Sequence, residues 1–372
     1  MRIAVNTRFL LAGKMEGIGW YTYEVMKRMV EQHPDDEFIF IFDRQYDKRF
    51  IFGRNVTPVV LSPPARHPFL WYIWFEWSLP HLLKKYKADV FFSPDGYCSL
   101  RSDLATLMTM HDLSYLHYPG QVSFWVRKYY QYFVPRFLRR AQLIATVSNF
   151  VKEDIVKNLG ISGEKILLAQ NGGREEFKPI SSERQTQIKN KYTQGREYFL
   201  YYGAIHPRKN VLNTILAFEK FKEISDSDIC LVLAGRLAWH TNEIEDKLKH
   251  SVYKSDIIHL GYMDKALSEL VASAKAVVYI SYFEGFGLPV LESMASGVPV
   301  ITSDISSLPE VAGDAALLVS PDNIFEIADA MSQLYYNKSI AVDMIRKGLM
   351  RAGEFSWDQT ASLIYHSLRS LR

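Results

Sequence analysis

The sequence YFEGFGLPVLESMASGVPV, residues 282–300, places a glycine-rich loop and a proline directly after the apolar run KAVVYIS. The apolar run is typical of a buried strand. Pro289 suits the first position of a helix, because the N–H that proline lacks would be unpaired there, and Gly297 is a suitable residue to end that helix. A strand, a loop and a helix in this order predict one βα unit of a parallel sheet.

Two glutamates, Glu284 and Glu292, lie on either side of this loop. In one continuous helix their carboxylates would be roughly 12 Å apart along the axis, too far for an acid/base pair. With the helix starting at Pro289, they can instead contact different parts of one extended ligand. Gly285 and Gly287 let the backbone approach that ligand, and a helix N-terminus favours a phosphate. The alternative is a capped helix with two solvated glutamates.

The rest of the chain alternates short apolar runs with amphipathic stretches, the pattern of an α/β fold with doubly wound parallel sheets. The predicted strands are 2–7, 37–42, 89–93, 105–112, 143–148, 165–171, 198–204, 229–235, 257–262, 276–281 and 298–303. A polar, lysine-rich stretch at 177–198 is the predicted linker. Each half therefore has its own predicted sheet, and ligands of such sheets bind beyond the carboxyl ends of the strands.

Composition excludes several classes of protein. Lysine and arginine number 44 against 41 acidic residues, a net charge of +3 that gives no general field for nucleic acid. Cys98 and Cys230 are far apart and show no metal-ligand spacing, which fits a reducing compartment. The N-terminal MRIAVNT predicts a first strand rather than a signal for export.

Three other strand ends carry polar or glycine residues. YYGAIHPRKN places Gly203 at a strand end and then Arg208 and Lys209, two cations that could neutralise a diphosphate or simply be solvated. Gly17 and Gly19 come just before a predicted helix, without the full spacing of a dinucleotide fingerprint, which disfavours an NAD-dependent dehydrogenase. His111, followed by Asp112, either reaches a ligand or is an ordinary buried histidine.

The order of these motifs resembles glycosyltransferase family 4, whose members are retaining enzymes with the two-domain GT-B fold. The resembling pieces are GIGWYTYE, His111 with Asp112, VSNFVKEDI, Gly203 with RKN, LVLAG, IIHLGY, EGFGLPVLESMASGVPVI and SLPEVAGDAALLVSP. The resemblance implies two Rossmann-like domains facing a central cleft. It assigns acceptor binding to residues 1–180 and nucleotide-sugar binding to residues 190–354, with a C-terminal helix, 355–372, crossing back to the N-terminal domain.

The resemblance also implies roles for single residues. Arg208 and Lys209 would contact the donor diphosphate, Glu284 the transferred sugar and Glu292 the nucleotide ribose. Other donor contacts would come from residues that line the same site: His111 near an outer sugar hydroxyl, the Gly17 to Gly19 loop over the diphosphate, Gly203, the backbone of Phe286, Gly287 and Leu288, and Tyr262, which with Gly235 and Met263 surrounds the base. Where many relatives have Asn-Gly-Val-Asp, this chain has NGGR, Asn171 to Arg174, a loop whose role the resemblance leaves open.

The implied reaction is retaining transfer of a hexose, mannose from GDP-mannose being favoured, onto a saccharide or lipid-linked acceptor in surface polysaccharide synthesis. Fixed positive charge can stabilise the departing diphosphate, so neither a metal nor another cofactor is expected, and no Asp-x-Asp occurs at a strand-end loop. Same-face attack is favoured over a covalent intermediate on Glu284. The alternatives are a UDP-sugar transferase of the same fold and a catalytically silent nucleotide-sugar-binding subunit.

Two stretches, 66–87 and 124–140, mix aromatic and basic side chains. Such a mixture suits a protein that lies on an anionic membrane and reaches a lipid-linked acceptor. The alternative is that the aromatic faces form the core and the cations are solvated at the helix ends. We therefore expect a cytoplasmic protein, with contact to the inner face of the membrane as an open possibility.

Overall fold

The chain folds into two compact units. A computed structural model describes residues 1–13, 15–263 and 266–372. The first unit consists of Met1–Asn171 together with Ser356–Arg372, and the second of Gly172–Phe355.

The first unit is built on a seven-stranded parallel sheet. Its strands are β1 Arg2–Asn6, β2 Glu37–Phe42, β3 Val56–Val60, β4 Val90–Ser93, β5 Thr106–Met110, β6 Leu143–Thr146 and β7 Ile166–Leu168. They are ordered β3-β2-β1-β4-β5-β6-β7, so the direction of winding reverses between β1 and β4. Most of their residues are buried and apolar, as a parallel sheet covered on both faces requires.

Helices cross between these strands. They are α1 Gly17–Gln32, α2 Pro68–Ile73, α3 Leu79–Lys85, α4 Ser114–His117, α5 Phe124–Arg140 and α6 Asn149–Leu159. A π-helical turn, Trp74–Ser78, joins α2 to α3, and 3₁₀ turns occupy Lys48–Phe50, Pro119–Gln121 and Gly163–Lys165. The C-terminal helix, Trp357–Ser370, also belongs to this unit: the ring of Tyr365 stacks on His33 at a centroid distance of 3.3 Å, and its hydroxyl donates to Asp36.

The second unit contains a six-stranded parallel sheet. Its strands are β8 Tyr198–Tyr202, β9 Cys230–Ala234, β10 Ile257–Gly261, β11 Ala276–Tyr279, β12 Val300–Ser303 and β13 Ala316–Val319, ordered β10-β9-β8-β11-β12-β13. The helices around it are α7 Ser182–Thr193, α8 Val211–Ile224, α9 Asn242–His250, α10 Leu267–Ala272, α11 Leu288–Ala295, α12 Leu308–Ala312, α13 Ile324–Tyr336 and α14 Lys338–Ala352, and a 3₁₀ turn covers Pro207–Lys209. The reversal point here lies between β8 and β11.

The predicted strands are all present, but the structure corrects three other expectations. The linker predicted at 177–198 contains α7, which Ser181 caps by accepting a hydrogen bond from the Arg184 N–H, and the first residues of β8. The first unit ends at Asn171 rather than at residue 180. Two strands were missed: β3 contains Pro58, which only an edge strand tolerates, and β13 lies at the edge of the other sheet.

The aromatic stretches of the first unit supply much of its core. Trp74 and Phe75 are fully buried, and the Trp74 indole N–H donates to the Leu61 carbonyl at 3.1 Å. Trp71 of α2 stacks on Tyr130 of α5 with nearly parallel rings. Trp71, Trp74, Phe75 and Tyr130 are therefore first of all packing residues.

Trp74→Ala should destabilise the protein by about 3–5 kcal/mol, because it removes a fully buried indole and leaves a cavity. Trp77→Ala is the matched control, since that ring is 57% exposed and its recorded cation contact is with Arg101. We expect the control to cost less than about 1 kcal/mol. Urea unfolding of both variants measures the difference, and an equal loss of stability would contradict the packing described above.

Candidate functional site

The loop between β11 and α11 is shaped by Gly287. This residue has φ +110°, and a Cβ at this position would lie 2.6 Å from a methyl carbon of Leu308. Only glycine fits both the backbone angle and the space. Pro289 follows as the second residue of α11, one position later than the sequence indicated. The Leu288 N–H, at the first helical position, has no acceptor within the helix. It lies at the N-terminal end of α11, where the helix dipole is positive.

Glu284, in this loop, is held by an ion pair. The Lys209 ammonium donates to Glu284 Oε1 at 2.5 Å, and the Tyr279 hydroxyl donates to the same oxygen at 2.8 Å. Lys209 also donates to the Tyr279 hydroxyl at 2.6 Å, which closes a three-membered cluster. Tyr279 is the last residue of β11. The sequence did not identify Tyr279 as a site residue, because nothing in a buried strand shows which groups the hydroxyl of a tyrosine will contact.

The electrostatics of the cluster favour a charged carboxylate. The Glu284 side chain is only 12% exposed. Burial opposes ionisation, but the positive charges of Lys209 and Arg208 prevail and lower the pKa of Glu284 to about 2. Glu284 is therefore an anion with weak basicity at every ordinary pH, suited to accept hydrogen bonds rather than protons.

Serines from the next βα loop fix the backbone around Glu284. The Ser307 hydroxyl lies 2.9 Å from the Glu284 carbonyl and 2.8 Å from the Phe286 carbonyl, so its one proton can be donated to either oxygen or shared between them. The Glu284 N–H donates to the Ser306 hydroxyl. Ser307 stands at the N-cap position of α12, where a serine commonly caps its own helix, yet here it supports a neighbouring loop. No feature of the sequence had indicated a role for either serine.

Arg208 and Lys209 occupy the 3₁₀ turn after β8. The Arg208 carbonyl accepts from the Tyr282 N–H at 2.9 Å, so this turn is bonded directly to the loop after β11. Because β8 and β11 are neighbours at the reversal point of the sheet, the two predicted cations and Glu284 meet where ligands of such sheets bind. The structure thus brings Arg208, Lys209 and Glu284 into one region, while their contact with a donor stays a prediction.

His206, two residues before Arg208, is an unpredicted member of this region. Its ring is 4% exposed and stacks on Trp239 with centroids 4.5 Å apart. Burial, with the positive charges of Lys209 and Arg208, lowers the pKa of His206 to about 3, so the ring stays neutral. Within the part of the chain that the structure describes, its Nδ1 atom has no hydrogen-bond partner.

Gly203 and Gly235 allow the ends of β8 and β9 to approach each other. A Cβ on Gly235 would lie 1.8 Å from the Gly203 carbonyl oxygen, which no side chain permits. The Gly235 carbonyl also accepts from His259 at 2.8 Å. The glycines expected to contact a donor therefore have a structural reason to be glycine as well.

Glu292 lies in α11 and pairs with a different cation. The Arg174 Nε and Nη2 atoms donate to Glu292 Oε1 and Oε2 at 2.6 and 3.0 Å, a two-pronged ion pair. Burial raises the pKa of Glu292, and the positive charge of Arg174 opposes that rise. The two glutamates thus have separate partners, as their proposed separate roles require, and Arg174 gains a partner that the sequence did not indicate.

The remaining predicted residues differ in exposure. Tyr262 is 59% exposed just after β10, and Met263 beside it is half-buried. Phe286 is buried, with its ring edge-on to Phe355. The Phe286 side chain therefore packs in the core, and only its backbone remains for a ligand. The sequence positions next to Met263, residues 264 and 265, lie outside the described residues.

Two of the predicted site residues of the first unit are glycines. Gly17 and Gly19 were expected just before a helix, but they lie inside the first turn of α1, which begins at Gly17. Gly19 packs against the Phe9 carbonyl, 2.8 Å from where a Cβ would be, whereas Gly17 is exposed. Glycine therefore serves close packing at residue 19.

His111 follows β5 and is fixed in one tautomer. Its Nε2 atom lies 2.8 Å from the Pro94 carbonyl, which can only accept, so Nε2 carries the proton. Burial lowers the pKa of His111, which keeps the ring neutral. Nδ1 is then an acceptor, the form needed to receive a hydrogen bond from a hydroxyl.

Two family models match the chain. The model described as Glycosyltransferase Family 4 matches residues 15–173. The model described as Glycosyl transferases group 1 matches residues 182–350. Between them they cover most of both units.

Two curated relatives match this chain over most of their own length. The chain is 30% identical over 291 residues to the O-antigen chain mannosyltransferase B of Escherichia coli, covering 78% of this chain and 76% of the relative. It is also 30% identical over 316 residues to the O-antigen chain mannosyltransferase RfbU of Salmonella typhimurium, covering 80% and 82%.

A solved structure with the same architecture is Anabaena Alr3699/HepE in complex with UDP and glucose. It superposes with a TM-score of 0.79 at 14% identity, and the match covers 100% of both chains. The likeness confirms the predicted fold class, two Rossmann-like parallel-sheet domains of the GT-B type.

The low pKa of Glu284 predicts how stability depends on pH. In the folded state the pKa of Glu284 is about 2, below the ordinary 4.5. The carboxylate therefore contributes stability that is fully present above pH 4.5 and is lost as the pH falls toward 2. Glu284→Gln removes this contribution, so the wild type should lose about 2–3 kcal/mol more than the variant between pH 5 and pH 2.5. Denaturant unfolding across that range tests it, and parallel stability curves would contradict the assignment.

Proposed function

The chain belongs to glycosyltransferase family 4, and on that premise we propose that it transfers a hexose from a nucleoside diphosphate sugar to a saccharide or lipid-linked acceptor with retention of configuration. The observation that carries the proposal is the cluster of Lys209, Tyr279 and Glu284 beside the start of α11. It combines an ionised carboxylate, fixed cations and a helix N-terminus at the reversal point of one sheet. A sugar joined to a diphosphate needs all three kinds of group.

The main chemical task in such a transfer is to stabilise negative charge on the departing diphosphate. We assign this to Arg208, Lys209 and the helix start at Leu288, without a metal ion. These groups are fixed before the reaction, so they need little rearrangement as charge develops. Sensitivity of the reaction to EDTA would contradict the assignment.

We assign Glu284 to the transferred sugar. Both hydrogen bonds from Lys209 and Tyr279 fall on Oε1, which orients Oε2 as an acceptor for sugar hydroxyls. A carboxylate with a pKa of about 2 is a weak base, which favours this role over that of proton acceptor. It equally favours same-face attack by the acceptor over a covalent intermediate on Glu284. For His111, in the first unit, the neutral Nδ1 supports the predicted role of accepting a hydrogen bond from a hydroxyl group.

The donor proposed is GDP-mannose, and the product a surface polysaccharide. The support is that two relatives at 30% identity are named O-antigen chain mannosyltransferases. The second candidate is a UDP-sugar, since a protein of the same fold was solved with UDP and glucose. A silent subunit is disfavoured because Glu284 and Glu292 both have their cations in place.

Thermal shift with GDP, UDP and ADP tests the donor site, and hydrolysis of the matching nucleotide-sugars tests the reaction. We expect GDP at 100 times its dissociation constant to stabilise the protein by about 2.7 kcal/mol. Lys209→Ala and Glu284→Ala should each lower turnover about 100-fold or more. The first removes a cation that would stabilise the departing diphosphate, and the second removes the carboxylate that would bind the transferred sugar.

Lys220→Ala is the matched control for Lys209→Ala. Lys220 forms an exposed ion pair with Glu223 in α8 of the same unit, so its removal should leave turnover unchanged. If none of the three nucleotides raises the melting temperature, the donor site is wrongly assigned. If UDP alone does so, the GDP-mannose assignment is replaced by the UDP-sugar alternative.

We propose further that the first unit binds the inner, cytoplasmic face of an anionic membrane. None of the helices in the described ranges has the length and apolar character to cross a bilayer. Part of each aromatic stretch remains exposed outside the core: Phe69, Trp77, Phe124, Trp125 and Tyr132. Cations lie over three of these rings, Arg101 over Trp77, Lys128 over Phe124 and Arg136 over Tyr132. Aromatic rings with adjacent cations support binding at a lipid interface.

Flotation with liposomes tests this contact. The wild type should float with vesicles containing 30% anionic lipid at about 0.1 M salt and be released at about 1 M salt, where charges are screened over about 3 Å. Phe124→Ser with Trp125→Ser should reduce the bound fraction several-fold. Phe325→Ser, which removes a 72% exposed aromatic of the second unit, is the control and should bind like the wild type. Absence of salt-sensitive binding by the wild type would exclude the membrane surface.

A further inference from the structure

Arg174 stands at the position where this chain departs from the Asn-Gly-Val-Asp pattern of many relatives. In the second unit its guanidinium meets the carboxylate of Glu292, which is 118 positions further along the chain. The two donors, Nε and Nη2, reach one carboxylate oxygen each, at 2.6 and 3.0 Å. This planar fork fixes both the position and the rotation of the carboxylate.

The guanidinium is itself held in place. It lies over the ring of Phe177, with 4.5 Å between the guanidinium carbon and the ring centroid, and that ring stacks on Tyr202 of β8. The Nη1 atom lies 3.4 Å from a carboxylate oxygen of Glu176. Arg174 is therefore anchored to its own loop and to the sheet, and can transmit a fixed geometry to Glu292.

The fork does not use every acceptor site of the carboxylate. A carboxylate has about two acceptor sites on each oxygen; Arg174 uses one on each, and the Tyr202 hydroxyl is a further hydrogen-bonding neighbour. The remaining sites belong to two oxygens of one rigid plane, an arrangement that suits two adjacent hydroxyl groups. The ribose of a nucleotide presents such a pair in its 2′- and 3′-hydroxyls.

We propose that Arg174 is a positioning residue that orients the Glu292 carboxylate to receive both ribose hydroxyls of the nucleoside diphosphate donor. The inference rests on the function proposed above. It adds a determinant of donor recognition in the NGGR loop, the motif that the family resemblance left without a role. Its specific consequence is a preference for ribose over 2′-deoxyribose that depends on Arg174.

A second ion pair of the same unit provides a control of matched geometry. Arg184 donates through Nε and Nη2 to the two oxygens of Glu269 at 2.8 and 2.7 Å, the same fork, but its side chain is 46% exposed. The Arg174 side chain is 15% exposed and that of Glu292 is 2% exposed. Replacing Arg184 removes an equivalent fork without touching the proposed ribose site.

The test measures binding of GDP, 2′-deoxy-GDP, UDP and 2′-deoxy-UDP by titration calorimetry. For the base that the wild type prefers, the ribonucleotide should bind about tenfold more tightly than its deoxy analogue, the effect of one hydrogen bond to a charged group. Arg174→Ala and Glu292→Ala should each reduce this ratio to about twofold or less, and the double variant should lose no more than either single one. Arg184→Ala should keep the wild-type ratio.

Arg174→Lys is a second variant that keeps the test valid if Arg174→Ala does not fold. It keeps the positive charge beside the buried Glu292 but cannot form the fork, so we expect normal thermal unfolding with a reduced ribose preference. A general loss of stability would weaken both nucleotides equally, whereas a loss of positioning weakens the ribonucleotide more than the 2′-deoxynucleotide, which has only the 3′-hydroxyl to lose as a partner of Glu292.

The outcomes separate this inference from the function on which it rests. If Glu292→Ala loses the ribose preference while both Arg174 variants keep it, Arg174 does not position Glu292, and the proposed function stands. Tighter nucleotide binding by Arg174→Ala would show that Arg174 obstructs the carboxylate, which also overturns the inference. If the wild type binds neither GDP nor UDP, the proposed function and the inference fail together.

Discussion

A carboxylate that is taken out of water remains charged only if other charges replace the solvent, and this constraint organises the second unit. Glu284 meets it through Lys209, which comes from the turn after β8, while Glu284 itself follows β11. The ion pair therefore joins two loops at the point where the winding of the sheet reverses. Tyr279 closes the cluster from inside the strand. Gly287, Ser306 and Ser307 hold the backbone in the one conformation that keeps these groups together.

The same physics produces a second ion pair with a different purpose. Glu292 and Arg174 form a two-pronged pair deeper in the unit, and its partners come from segments more than 100 residues apart. One oxygen of Glu284 accepts hydrogen bonds from two donors, whereas both oxygens of Glu292 accept hydrogen bonds from one guanidinium. In the donor site that we propose, the first arrangement leaves one carboxylate oxygen for a ligand and the second leaves one edge of the carboxylate. Two glutamates of one short motif thus have different hydrogen-bonding environments.

The aromatic stretches of the first unit show how one composition can serve two environments. Trp71 of α2 and Trp74 of the following π-helical turn pack against the core of the first unit, and Trp71 also stacks on Tyr130 of α5. Trp77, only three residues after Trp74, faces solvent with a cation over its ring. Residues three apart lie on nearly the same face of an α-helix, but here the π-helical turn Trp74–Ser78 separates the two side chains, so neither the core interpretation nor the surface interpretation of this stretch is complete.

The sequence by itself determined the α/β class, eleven of the strands and the loops of the proposed donor site, because buried strands must be apolar and because glycine and proline restrict the backbone locally. It did not reveal the edge strands, whose single exposed side weakens the pattern, nor α7, whose polar composition imitates a linker. It named Arg208, Lys209, Glu284 and Glu292, but not their partners. Which cation neutralises which carboxylate was decided only by the tertiary structure, since electrostatic contacts depend on distance in space, and neighbours such as Arg174 and Glu292 are remote along the chain.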